Sequence, residues 1–181
     1  MIDFPSLKTL TIGNESFEQV TSFSINTLPS LETLDIRNDC FNAVSSHIYF
    51  NDFPELLSLK IGSKSFYNED SNTQINRPFS IYNNSKLLSI EIGEYSFGNY
   101  NGDFKVMSIP ELQSLTIGSI ENESNNFMYV RNIFIEGIRK CVFEWILDLD
   151  SLTTLTIGCG SFRQYATSLT ITSIRLFYNE I

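Results

Sequence analysis

The sequence predicts a mainly β, parallel-stranded solenoid, a single domain over residues 1–181 built of six successive coils. Three observations carry this expectation. One apolar pattern recurs six times, its copies are spaced by about one coil's length, and a fixed turn-and-aromatic signature follows each copy.

A strand opens each coil. The segment Leu7-Lys8-Thr9-Leu10-Thr11-Ile12-Gly13 sets the pattern, which restarts at Leu31, Leu56, Leu87, Leu112 and Leu152. The first site is always Leu. The fourth is Leu10, Leu34, Leu59, Ile90, Leu115 and Leu155, and the sixth is Ile12, Ile36, Ile61, Ile92, Ile117 and Ile157. Strand side chains alternate between faces, so the fourth and sixth sites share one face while the third and fifth share the other. A single coil cannot bury such a face alone. Stacking sets each Leu and Ile on its equivalents, at roughly 1.5–3 kcal/mol per fully buried side chain.

Successive first sites lie 24, 25, 31, 25 and 40 residues apart. The two long intervals place insertions near residues 67–77 in the third coil and 119–140 in the fifth. Long loops on a rigid scaffold are candidate functional elements.

The turn after the strand carries Gly13, Gly62, Gly93, Gly118 and Gly158, with Arg37 as the exception. Glycine is expected there to supply a positive φ without a Cβ clash. Four residues on stand Phe17, Phe41, Phe66, Phe97 and Phe162, each preceded by Ser16, Cys40, Ser65, Ser96 or Ser161. This reads as an aromatic spine beside a ladder of small residues, with Cys40 a structural member of that ladder rather than a reactive thiol.

A second apolar alternation follows at Phe23-Ser24-Ile25, Ile48-Tyr49-Phe50, Phe79-Ser80-Ile81 and Phe104-Lys105-Val106, with counterparts at Ile133-Phe134-Ile135 and Leu169-Thr170-Ile171. Short extended segments are therefore expected on the back of every coil. Pro5, Pro29, Pro54 and Pro110 stand two residues before the first Leu, where a fixed φ and a missing N–H suit the approach to a strand.

The pattern L-x-x-L-x-[IL], followed by a turn and a ladder, resembles the leucine-rich-repeat family from Phe4 to about Ile174. The Ile-Gly-x-x-Ser-Phe signature with a β-like back is similar to the BspA-like subclass of that family, found in bacterial surface proteins and protist repertoires. Where the family usually carries Asn or Cys, three residues after the sixth site, this chain has Glu15, Asp39, Lys64, Tyr95, Ile120 and Gly160. The resemblance implies a right-handed leucine-rich-repeat solenoid with a parallel sheet on its main face. It also implies binding of proteins or glycans at a cell surface or in assemblies, and brings no shared catalytic residues.

Composition narrows the partners. With 21 acidic against 12 basic residues the net charge is −9, which opposes the counterion-release attraction that holds nucleic acid. No run approaches the roughly 18 apolar residues of a membrane span, so no membrane insertion is expected. Met1 leads into Asp3 and Pro5 rather than a secretion signal, although the family resemblance favours an extracellular or cell-surface setting.

Catalytic chemistry finds little footing. Cys40, Cys141 and Cys159 are too widely spaced for a zinc pattern and odd in number for a disulfide framework. His47 is the sole histidine, Gly158-Cys159-Gly160-Ser161 reads as a turn rather than a phosphate loop, and Glu144, Asp148 and Asp150 are too few for a calcium cage. A non-enzymatic protein without cofactor or metal is expected.

The outward sites of the main strands form the candidate binding strip. Third sites are Thr9, Thr33, Ser58, Ser89, Ser114 and Thr154, every one a hydroxyl, which also suits a merely solvated strand face. Fifth sites vary as Thr11, Asp35, Lys60, Glu91, Thr116 and Thr156, as expected where a common scaffold is tailored to a protein or glycan ligand. The charges in that row interrupt the Thr-x-Thr regularity that an ice-ordering face would need. Sequons at Asn14, Asn83 and Asn122 are possible N-glycosylation sites. Repeats that start near Met1 and run nearly to Ile181 leave no room for polar caps, which predicts an alternative role in stacking with further copies.

Overall fold

The structure is a computed structural model. It describes the backbone of residues 4–26, 28–68, 76–136, 138–140, 145–147, 154–157, 161 and 168–172, and the side chains of residues 4–26, 28–68, 76–135 and 161. Among the described residues there are strands and no helix. In chain order the strands are β1 (Thr9–Ile12), β2 (Thr33–Ile36), β3 (Ile48–Tyr49), β4 (Ser58–Ile61), β5 (Phe79–Tyr82), β6 (Ser89–Ile92) and β7 (Phe104–Met107). They continue with β8 (Ser114–Ile117), β9 (Asn132–Glu136), β10 (Ile138–Lys140), β11 (Trp145–Leu147), β12 (Thr154–Ile157) and β13 (Ser168–Thr172).

The chain winds as a parallel β-solenoid. A six-stranded front sheet runs β1-β2-β4-β6-β8-β12 and a five-stranded back sheet runs β13-β9-β7-β5-β3. The front register is the one the repeat alignment predicts: Leu10, Leu34, Leu59, Ile90, Leu115 and Leu155 pair in one row, and the six sixth-site isoleucines in another. On the back, Ile133 and Leu169 continue the row of Ile48, Phe79 and Phe104. The first coil departs from expectation. Phe23–Ile25 keeps its apolar alternation but joins no ladder, leaving five back strands and about five full turns. Phe23 is held there by ring packing on Phe41 at 4.8 Å instead.

Between the sheets lies the core. Leu34, Ile36, Leu59, Ile61, Leu115 and Ile117 are fully buried, whereas Leu7, Leu10 and Ile12 in the first coil are only partly covered. Phe17, Phe41, Phe66 and Phe97 stack face to face at 4.9–5.2 Å, close to the spacing of the strands themselves. A second aromatic column of Phe50, Phe79 and Phe104 packs beside it.

The turn glycines act differently from expectation. Of the described ones only Gly118 has a positive φ, at 69°. The left-handed residues are instead Glu15, Asp39, Lys64, Tyr95 and Asn125, and then Phe17, Phe41, Phe66, Phe97 and Phe127, with φ between 47° and 61°. Glycine follows the strand for close approach: a Cβ on Gly62 would stand 2.6 Å from the Arg37 carbonyl carbon, and one on Gly93 would stand 2.5 Å from the Ser63 nitrogen. Arg37 itself is exposed and forms an ion pair with Asp35 at 2.9 Å.

The fifth coil divides the second insertion in two. Asn126 and Phe127 occupy the ladder and spine positions, Phe127 stacking on Phe97 at 4.9 Å, and β9 lies in regular register. Extra residues therefore loop out between Gly118 and Asn125, and again beyond β9, where β10 and β11 form an antiparallel pair. Residues 69–75 of the third-coil insertion lie outside the described residues.

The prolines act in β-turns just ahead of the strands. Leu7, Leu31, Leu56 and Leu112 donate N–H bonds to Phe4, Leu28, Phe53 and Ile109 at 3.2–3.3 Å, which puts Pro at the second turn position, where its fixed φ fits.

Candidate functional site

The front sheet brings the predicted strip together. Cross-strand pairing aligns Thr9, Thr33, Ser58, Ser89, Ser114 and Thr154 in one row and Thr11, Asp35, Lys60, Glu91, Thr116 and Thr156 in the next. Described members of both rows are exposed or half-buried, while the Leu and Ile between them point inward. The side chains of Thr154 and Thr156 lie outside the described residues.

Charges on this face pair among themselves. Lys60 reaches Glu91 on the next strand at 2.9 Å, and Asp35 is held by Arg37. The same happens at the sheet margin, where Lys8 meets Glu32 at 2.6 Å and Lys86 meets Glu55 at 2.6 Å. The hydrogen bond from Lys8 to Glu32 raises the lysine pKa. Ser89 donates to Ser58 at 3.3 Å within the hydroxyl row. The face is thus flat, hydroxylated and internally neutralised over its middle coils.

Behind the strip, the small-residue ladder is a hydrogen-bonding device. Ser65 Oγ accepts from the Cys40 backbone N–H at 3.1 Å and donates to the Arg37 carbonyl at 2.7 Å. Ser96 Oγ repeats this with Ser65 N–H at 3.2 Å and Gly62 O at 2.6 Å. Cys40 Sγ lies 3.0 Å from Gly13 O, and Asn126 reaches Gly93 O at 2.7 Å. Cys40 is buried, and burial pushes its thiol pKa up, which fits a structural member of the ladder.

Buried asparagines were missed by sequence reasoning. Asn84 accepts from Phe53 N–H at 2.9 Å and donates to Phe50 O at 2.6 Å, and Asn68 donates to Val44 O at 2.8 Å. A polar residue directly before Phe127 was the available sign that Asn126 belongs to the ladder. The three sequon asparagines are exposed; Asn83 bonds Asp52 at 3.1 Å and Asn122 bonds Glu94 at 3.2 Å.

The back face carries a groove. Tyr49 and Tyr82 are 45% and 38% exposed, on adjacent strands. They flank a groove of about 280 Å³ floored by Phe23 and Ile25. His47 lies beside Tyr49, with its Nδ1 against the phenol oxygen. A second, larger hollow of about 600 Å³ opens between Glu18, Asn42 and Tyr67.

Among the described residues no three His, Cys, Asp or Glu side chains converge on a point, and no helix is long and apolar enough to cross a membrane. Glu144, Asp148, Asp150, Cys141, Cys159 and the Gly158–Ser161 turn glycines lie outside the described residues. Fold and faces together define a parallel β-solenoid repeat protein. Compared with known proteins, the chain matches no family model, no curated protein and no solved structure.

Proposed function

We propose that this chain is a leucine-rich-repeat module of the BspA-like kind, non-catalytic, which docks a protein or glycan ligand on its front sheet in an extracellular or surface setting. One observation supports the reading most directly. Inward sites are uniformly Leu or Ile in register, while the fifth-site row, geometrically equivalent from coil to coil, runs Thr11, Asp35, Lys60, Glu91 and Thr116. Stability leaves that row free to vary, since exposed ion pairs contribute only about 0–1 kcal/mol.

The test exchanges Lys60 and Glu91. The double variant Lys60→Glu with Glu91→Lys keeps their ion pair and inverts the pattern a ligand would meet. Once a partner has been isolated from surface extracts, binding that survives this exchange, and also Asp35→Lys, unchanged would remove the strip from consideration.

A second reading, end-on stacking of copies, is favoured by the first coil, where Phe4 and Phe17 are 54% and 56% exposed. β1 has a single neighbour, β2, in the front sheet. Light scattering across a concentration series, with Phe17→Ser as comparison, tests it: a monodisperse monomer at every concentration counts against stacking.

A further inference from the structure

We infer that the groove on the back of the first three coils is a binding site for a neutral glycan, separate from the front strip and independent of it. The groove exists because the first coil's back segment runs beside β3 without joining its ladder, so a cleft opens where a further strand would close the sheet. Its volume of about 280 Å³ sits at the lower end of the size of small-ligand sites, enough for a short stretch of a chain lying across the surface.

Its chemistry is two-sided. Tyr49 pairs with Ser80, and Tyr82 stands two residues further along β5 on the same outward face, so the two tyrosines are diagonal neighbours on adjacent parallel strands. A pyranose ring has one apolar C–H face and a rim of hydroxyls. Exposed phenol rings supply a flat apolar platform with a polar tip, the complement of that shape.

The polar rim is positioned rather than loose. Asn51 Oδ1 accepts the Tyr82 N–H at 3.0 Å, and the Asp52 N–H bonds the Tyr82 carbonyl at 3.2 Å. Asp52 sits in the left-handed region, φ 63°, which fixes where its exposed carboxylate stands relative to Tyr82. Toward sugar hydroxyls an amide of this kind can donate and accept, while the carboxylate accepts.

Charge decides which glycan. Asp52 is the charged residue lining the groove, and no Lys or Arg lines it among the described residues. An anionic sugar would meet like charge with no cation to compensate its lost hydration, whereas a neutral one meets only hydrogen-bonding partners.

The test uses the full chain and isothermal titration with four neutral hexasaccharides, of β-1,4-glucose, β-1,3-glucose, β-1,4-N-acetylglucosamine and α-1,6-mannose, with a heparin hexasaccharide as the anionic comparison. At least one neutral probe is expected to bind in the millimolar range or tighter. Tyr49→Ala and Tyr82→Ala should each weaken it by up to about tenfold, while the front-face Lys60/Glu91 exchange leaves it unchanged. Circular dichroism checks each variant, and Tyr82→Ala keeps the test decisive if Tyr49→Ala disturbs the short β3. No binding of any neutral probe, preference for heparin, or an affinity unchanged from the parent in both tyrosine variants overturns the inference.

Discussion

Replacing Gly93 by Ala is the sharpest test of how the coils are held together. Its Cβ would lie 2.5 Å from Ser63 N, 2.7 Å from the Gly62 carbonyl carbon and 2.8 Å from Ser63 Cα, all backbone of the preceding coil. None of these atoms is the end of a flexible side chain, so the two coils must part by several tenths of an ångström. The parting strains the Gly93 N–H bond to Ile61 O at 2.7 Å and the Lys64 N–H bond to Glu94 O at 2.7 Å. Overpacking costs about 1–3 kcal/mol, and each of the two weakened bonds up to about 1 more, giving roughly 1–5 kcal/mol.

Gly13→Ala is the internal control. Its Cβ would meet only Ser16 Oγ at 3.9 Å, and its φ is not positive. An effect within about 0.5 kcal/mol is expected there, or a slight gain from a stiffer unfolded chain. Urea unfolding followed by circular dichroism gives both values, and in heat the difference appears as roughly 2–4 °C per kcal/mol. Equal losses at the two sites would refute the close-approach argument.

Four further outcomes follow from the same geometry. Ser65→Ala should cost about 1–3 kcal/mol in chemical denaturation, because it strands the Cys40 N–H, while Ser65→Cys should cost less, since Cys40 already fills an equivalent place. Lys64→Gly should raise the melting temperature, because an exposed non-glycine residue at φ 56° gives up about 1 kcal/mol to its backbone. In a background lacking Cys141 and Cys159, Cys40 should react with a thiol reagent only on unfolding, since it is buried and burial raises its pKa. Burial pushes the Asp103 pKa up, but the Asn132 hydrogen bond at 2.9 Å and the Lys105 ion pair at 3.0 Å outweigh it and leave the value lowered. A depressed folded pKa means stability that is present above the unfolded value, about 3.9, and lost as pH falls through the folded one. Asp103→Asn should flatten that acid limb in unfolding curves taken at successive pH values.

Much of the scaffold was legible because the interaction repeats at a fixed sequence interval. Leu34 meets Leu59 and Ile61 meets Ile92 in the register that aligned copies predict, and Ile133 and Leu169 were placed on the back by alternation alone. What stayed hidden depends on distances between coils. The space above Gly93 is occupied by Ser63, thirty residues earlier, and no local pattern records a contact of 2.5 Å. Phe127 was concealed because extra residues after Gly118 shift it away from the usual offset, although its ring lies only 8° from parallel with Phe97. The candidate strip was fully legible as an alternation. The back groove was not, since it arises from one segment failing to pair.

The two faces differ because the solenoid constrains them differently. At the described turns each of Cys40, Ser65, Ser96 and Asn126 meets a backbone carbonyl of the preceding coil, so the ladder holds residues able to bond. Front outward sites face no such demand. Lys60 and Glu91 sit 44% and 54% exposed, where an ion pair adds little to stability and is screened by salt. If their pairing adds little to the fold, Thr at both positions, as at Thr11 and Thr116 in the same row, would serve the fold as well. Replacing both by Thr should therefore leave the melting temperature within about 2–4 °C of the parent. A larger loss would mean that the charged row is structural, and the argument for a front-face ligand would lose its main support.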